Sequence, residues 1–126
     1  MPEQSHVLIV DDNKDFLEIV SVYLGAKGFL TSVLHTEDGE GVLEACAELK
    51  PHVVLLDVFL SAEPRGFTIA GALRDDERTR EAKILFWTSM ADPGIDSENV
   101  FPPESFIDKT ADLEHLAARV EAALAS

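Results

Sequence analysis

Five side chains that could do chemistry stand at or near the ends of short apolar runs. Asp57 lies inside VVLLDVFL (53–60), where seven apolar residues surround one carboxylate. An ionised carboxylate taken out of water without a partner costs several kcal/mol or is neutralised, so something is expected to compensate it. Asp11 and Asp12 follow HVLIV (6–10), Thr88 sits in KILFWTS (83–89), and Lys109 closes SFIDK (105–109). Three carboxylates in one crevice repel, which raises a pKa or recruits a cation. Oxygen donors and dense negative charge suit Mg²⁺, which takes one or two carboxylates, keeps waters and completes its shell with phosphate oxygens. An Asp nucleophile, a metal, a hydroxyl donor and a lysine point charge are together what phosphorylation of a carboxylate needs. Each residue also has a plainer reading: Asp11 and Asp12 as helix caps, Thr88 as a structural strand-end residue, Lys109 as a solvated cation. The mid-run position of Asp57 weighs toward the chemical one.

These residues meet only if their runs end at one edge of a sheet. Strands are expected at 6–10, 29–35, 52–57, 83–89 and 105–109 from their short β-type apolar runs. A helix is expected over 14–26, capped by Asp11 to Asn13, with Phe16, Ile19, Val20, Tyr23 and Leu24 as its stripe and Gly28 at C′. Further helices read over 41–49, stopped by Pro51, and over 67–74. A last one starts at Asp112 or its neighbour, with Leu113, Leu116, Val120 and Leu124 on one face. This (βα)5 alternation gives an α/β fold: a doubly wound five-stranded parallel sheet, flavodoxin-like, with right-handed crossovers and expected order 2-1-3-4-5. Ligands of such sheets bind beyond the carboxyl ends of the strands at the switch point, here between strands one and three. In MADPGIDSENVFPPESF, where a helix should join strands four and five, Pro93, Gly94, Pro102 and Pro103 leave at most a short helical piece over 95–100. A specialised partner surface anchored on Phe101 and a neutral loop replacement both remain open for this Pro-rich region.

A chain of 126 residues with 46% hydrophobic and 27% charged residues suits one domain over 1–126, without repeats. Cys46, the single cysteine, lies in an apolar stripe with Val42 and Leu43 and reads as a small hydrophobe. MPEQSH lacks a basic-then-apolar leader, and no apolar run reaches the roughly 20 residues of a bilayer span, so a cytoplasmic location with no membrane partner is expected. A net charge of −14 argues against direct nucleic-acid binding, which needs clustered Lys and Arg. His6, His35, His52 and His115 are scattered without metal-ligand spacing and are assigned no chemistry.

The ordered set VLIVDDN, VVLLDVFL, GFTIAGALRDDERTR, KILFWTS and FIDK, over nearly the whole chain, resembles the receiver domain of bacterial two-component response regulators. The resemblance implies that Asp57 accepts a phosphoryl group from a histidine kinase or phosphotransfer protein with Mg²⁺. Asp12 then ligates the metal directly, Asp11 acts partly through water, Asp57 joins them, and the backbone carbonyl of Phe59 completes the set. Thr88 and Lys109 would bind phosphoryl oxygens, and Phe106 would be the switch aromatic that turns as Thr88 moves. Output would pass to a downstream protein target or a homodimer through residues 90–110, with self-catalysed phosphotransfer and autodephosphorylation as the only reactions. Two departures stand out: Thr110 follows Lys109 where the family has Pro, and Ser61 replaces a Pro in a loop to Gly66 that is one residue longer. Two other readings compete: a receiver-fold binding module that no longer uses phosphate, and a phosphohydrolase. Against the hydrolase, no second Asp lies two residues past Asp57 and no cap segment is visible.

Overall fold

The computed structural model describes residues 4–58, 60, 65–88, 105–109 and 111–125, with the side chains of Arg65 and Thr88 outside that description. In chain order the elements are β1 (His6–Asp11), α1 (Lys14–Ala26), β2 (Leu30–His35), α2 (Val42–Leu49), β3 (Val53–Asp57), α3 (Arg65–Asp75), β4 (Lys83–Thr88), β5 (Phe106–Asp108) and α4 (Leu113–Ala125). The strands form one sheet in the order β2-β1-β3-β4-β5, every pairing parallel.

Sidedness follows from strand alternation. Val7, Ile9, Val53, Leu55, Leu85, Trp87 and Ile107 face α1 and α4, where Leu17, Val20, Leu24, Leu116 and Val120 meet them. Leu8, Val10, Val54, Leu56 and Phe86 face the other way, onto Val42 and Cys46 of α2 and Ala70 and Leu73 of α3. Every residue of β3 is buried, as its unbroken apolar run demands of a central strand covered on both faces. β2 is an edge, and Leu30 and Val33 on it stay about half exposed, at 48% and 50%.

The helix ends follow their chemistry. Asn13 caps α1, its Oδ1 accepting the backbone N–H groups of Asp15 at 3.0 Å and Phe16 at 3.2 Å. At the other end Gly28 adopts φ +100°, and paired bonds from Phe29 N–H to the Leu24 carbonyl and from Gly28 N–H to the Gly25 carbonyl, each 3.1 Å, close a Schellman motif. Asp112 caps α4 by accepting the His115 N–H at 2.8 Å. The expected stripe of α1 needs one correction: Ile19 is 55% exposed, because the buried arc centres on Leu17, Val20 and Leu24 and leaves Ile19 on its flank. α3 begins at Arg65, two residues before the expected start, and β5 is shorter than the expected 105–109. The Pro-rich segment with Phe101, together with Ser61 and Thr110, lies outside the described residues. Among the described residues, no helix is long and apolar enough to cross a membrane.

Candidate functional site

β1 and β3 are neighbours in register, Val10 opposite Leu56, so the chain ends β1 at Asp11 and β3 at Asp57 side by side at the carboxyl edge. Asp12 follows at the rim. Carboxylate oxygens of Asp11, Asp12 and Asp57 all lie within 4.8 Å of one another, with Asp11 and Asp57 buried and Asp12 exposed. The Asn13 backbone N–H, at 2.9 Å, donates to Asp11 Oδ1 and aims that carboxylate. His35, opposite Asp11 on β2, places its Nε2 3.0 Å from the Asp12 carbonyl oxygen, so the imidazole N–H donates there and steadies the acidic turn. That histidine had shown nothing in the sequence; only the β1–β2 register reveals it.

Lys109 reaches the crevice from the end of β5. Its Nζ lies 2.7 Å from Asp11 Oδ2 and 2.9 Å from Asp57 Oδ2, bridging the two buried carboxylates. Burial pushes the Asp11 carboxyl up; the Lys109 ammonium and the Asn13 N–H pull it down, and burial prevails. Burial pushes the Lys109 ammonium down, but hydrogen bonds and charge from Asp11 and Asp57 outweigh it and raise its pKa. Three convergent carboxylates are an oxygen donor set that fits a hard divalent cation.

This arrangement carries a prediction about cost. The folded-state pKa of Asp11 lies above its unfolded value, so ionised Asp11 penalises folding at neutral pH, and that penalty fades as pH falls toward the unfolded pKa. Asp11→Asn is therefore expected to raise the melting temperature in EDTA while weakening Mg²⁺ affinity about tenfold or more. Thermal unfolding and calorimetric titration read the two effects separately, and a lowered melting temperature would contradict the assignment.

The backbone behind Asp57 is held by a residue that the sequence showed only as part of a loop. Gly66 donates its N–H to the Val58 carbonyl at 2.9 Å. A Cβ there would run into the Asp57 carbonyl oxygen and sit 2.8 Å from Val58 Cα. Phe106 packs half-buried in a ring cluster, stacked on Phe86 at 5.1 Å between centroids and edge-on to Phe67 at 6.0 Å. The backbone of Thr88 ends β4 beside Asp108, while its side chain and all of Phe59 lie outside the described residues. Two aromatics that the sequence did not mark as site residues, Phe16 and Trp87, flank Lys109, each with its ring centroid 4.9 Å from Nζ.

Comparison with known proteins bears on the family and the fold. The family model for the response regulator receiver domain matches residues 7–121. The DNA-binding dual master transcriptional regulator RpaA of Synechocystis sp. is 31% identical over 123 residues, 94% of this chain and 48% of its own length. The DNA-binding response regulator MtrA of Mycobacterium tuberculosis (H37Rv) is 31% identical over 121 residues, 96% of this chain and 51% of its own length. The chain thus spans about half the length of these curated relatives. Among solved structures, the BeF3-activated N-terminal receiver domain of Klebsiella pneumoniae RstA superposes with TM-score 0.77 at 25% identity, over 97% of this chain and 100% of that one. The chemotaxis response regulator CheY4 of Vibrio cholerae shares the fold, with TM-score 0.80 at 22% identity over 96% and 99%.

Proposed function

Because this chain belongs to the response regulator receiver family, and so to two-component signalling, we propose that it is a switch set by phosphorylation of Asp57. The observation that carries the reading is the pair of buried carboxylates, Asp11 and Asp57, at the ends of adjacent central strands with one lysine ammonium between them. In the proposed step a carboxylate oxygen of Asp57 attacks the phosphorus of a phosphohistidine on a histidine kinase or phosphotransfer protein. The P–N bond breaks, its electron pair stays with the imidazole, and an acyl phosphate forms. Asp11, Asp12, Asp57 and the Phe59 carbonyl would hold Mg²⁺, which would supply charge neutralisation for the transferring group. Lys109 gives a fixed point charge and Thr88 a hydroxyl donor to the phosphoryl oxygens. The product adds about −1.5 to −2 of charge at the crevice, to which Thr88 and the ring of Phe106 respond.

The chain is read as a receiver domain over 1–126 that works in the cytoplasm and turns over no small-molecule substrate. Its output is assigned to a downstream protein or a second copy through residues 90–110. The relatives are named as DNA-binding; with a net charge of −14, direct contact with nucleic acid is not assigned to these residues. Intact mass after incubation with acetyl phosphate is the test: one phosphoryl group gained with Mg²⁺ and none with EDTA. No gain in folded protein with Mg²⁺ present would favour the module that works without phosphate.

A further inference from the structure

We propose that Phe16 and Trp87 are positioning residues that form an aromatic cage around the Lys109 ammonium and hold it against the two buried carboxylates. The inference rests on the reading that Lys109 serves the phosphoryl group. Nζ lies 4.9 Å from the centroid of each ring, within the range at which a cation is attracted to a π face. The rings pack against each other edge to face, 5.3 Å apart at 87°, an arrangement that favours holding both in place. Phe16 is itself pinned, because Asn13 Oδ1 accepts its backbone N–H at the first turn of α1. Trp87 is pinned by β4, where it stands opposite Asp57 in the sheet register.

The identity of residue 87 is informative. Trp87 is 2% exposed, yet its indole N–H has no hydrogen-bond partner among the described residues. An orphaned buried donor costs free energy that phenylalanine or leucine would avoid at the same strand position. What tryptophan offers in return is the ring face with the strongest attraction for a cation. Three elements far apart in sequence, α1, β4 and the turn after β5, thereby converge on one ammonium. A free lysine has four side-chain torsions to order, and the residue after Lys109 is a threonine, without a proline ring to stiffen the backbone there. The cage limits the side chain to the bridging position before any phosphoryl group arrives, and preorganised charge of this kind is what accelerates group transfer.

Two measurements test this. Trp87 is the only tryptophan, so its emission in the metal-free chain reports the cation directly; Lys109→Met is expected to change the intensity or wavelength of that emission. In the second, phosphoryl uptake from acetyl phosphate with Mg²⁺ is timed by intact mass. Trp87→Leu is expected to slow uptake about tenfold. Trp87→Phe should recover most of the rate. Trp87→Leu placed on Lys109→Met should slow it no further, since the cage then has nothing to hold. Equal slowing by Trp87→Leu in both backgrounds, or unchanged emission in Lys109→Met, overturns the proposal. If Trp87→Leu fails to fold, Phe16→Leu is compared in the same two backgrounds, with a slowing confined to the Lys109 background expected and equal slowing in both overturning the proposal. A parent chain that takes up no phosphoryl group would sink the receiver reading and leave the emission measurement to decide the cage alone.

Discussion

Asp57→Ala is expected to take up no phosphoryl group under conditions in which the parent chain gains one. The carboxylate has no substitute at its position. Asp11 is buried deeper, with Oδ1 accepting from the Asn13 N–H and Oδ2 against Lys109, so neither of its oxygens faces an incoming donor freely. Asp12 is exposed, at the rim of the crevice. Removing Asp57 also leaves the ammonium with Asp11 as its bridging carboxylate, so the variant should fold and its failure should be chemical. Far-ultraviolet dichroism beside the mass measurement separates the two causes. Retention of phosphoryl uptake by a folded Asp57→Ala chain would move the acceptor elsewhere and undo the proposed function.

Gly66→Ala is expected to cost substantial stability through a single added methyl group. That carbon would collide with the Asp57 carbonyl oxygen and with Val58 Cα, which are backbone atoms of the end of β3 and cannot swing aside as a side chain could. Overpacking of this kind costs about 1–3 kcal/mol, which for a domain of this size lowers the melting temperature by roughly 5–12 °C. The strain falls on the peptide that carries the acceptor, so phosphoryl uptake should slow with it. Gly71→Ala is the control: a Cβ there meets nothing within 4 Å, and replacing glycine inside α3 should add about 0.5–1 kcal/mol. Thermal unfolding of both variants reads the contrast, and similar melting temperatures for the two would refute the close approach.

The sheet was legible because its central strands carry the signal twice. β1 and β3 are apolar on both faces, which only a doubly covered parallel sheet satisfies, and the carboxylates that interrupt those runs had to lie at the strand ends. Gly28 announced the end of α1 for a local reason, the need for positive φ in the closing turn. Ile19 misled because a helix of 3.6-residue period with Phe16, Leu17, Val20, Tyr23 and Leu24 allows two overlapping apolar arcs, and sequence alone does not choose between them. The cage around Lys109 was illegible for a different reason. Its members come from three elements with no fixed spacing, and their meeting depends on the register of β4 against β3 and the seating of α1 on the sheet. Gly66 was likewise mute, since its constraint is the path of another backbone segment.

Strand β3, which ends at Asp57, is the middle of five, bonded on both sides and buried throughout, whereas β5 is a margin only three residues long. In hydrogen-exchange terms the amides of β3 are expected to open only with the whole domain, and those of β5 and the turn bearing Lys109 at smaller free energy. The chemistry proposed for Asp57 would therefore fall on the most deeply paired strand of the sheet, and its consequences on one of the shortest. Such a division would let a single added charge reshape one rim of the domain without loosening the core that holds the charge in place.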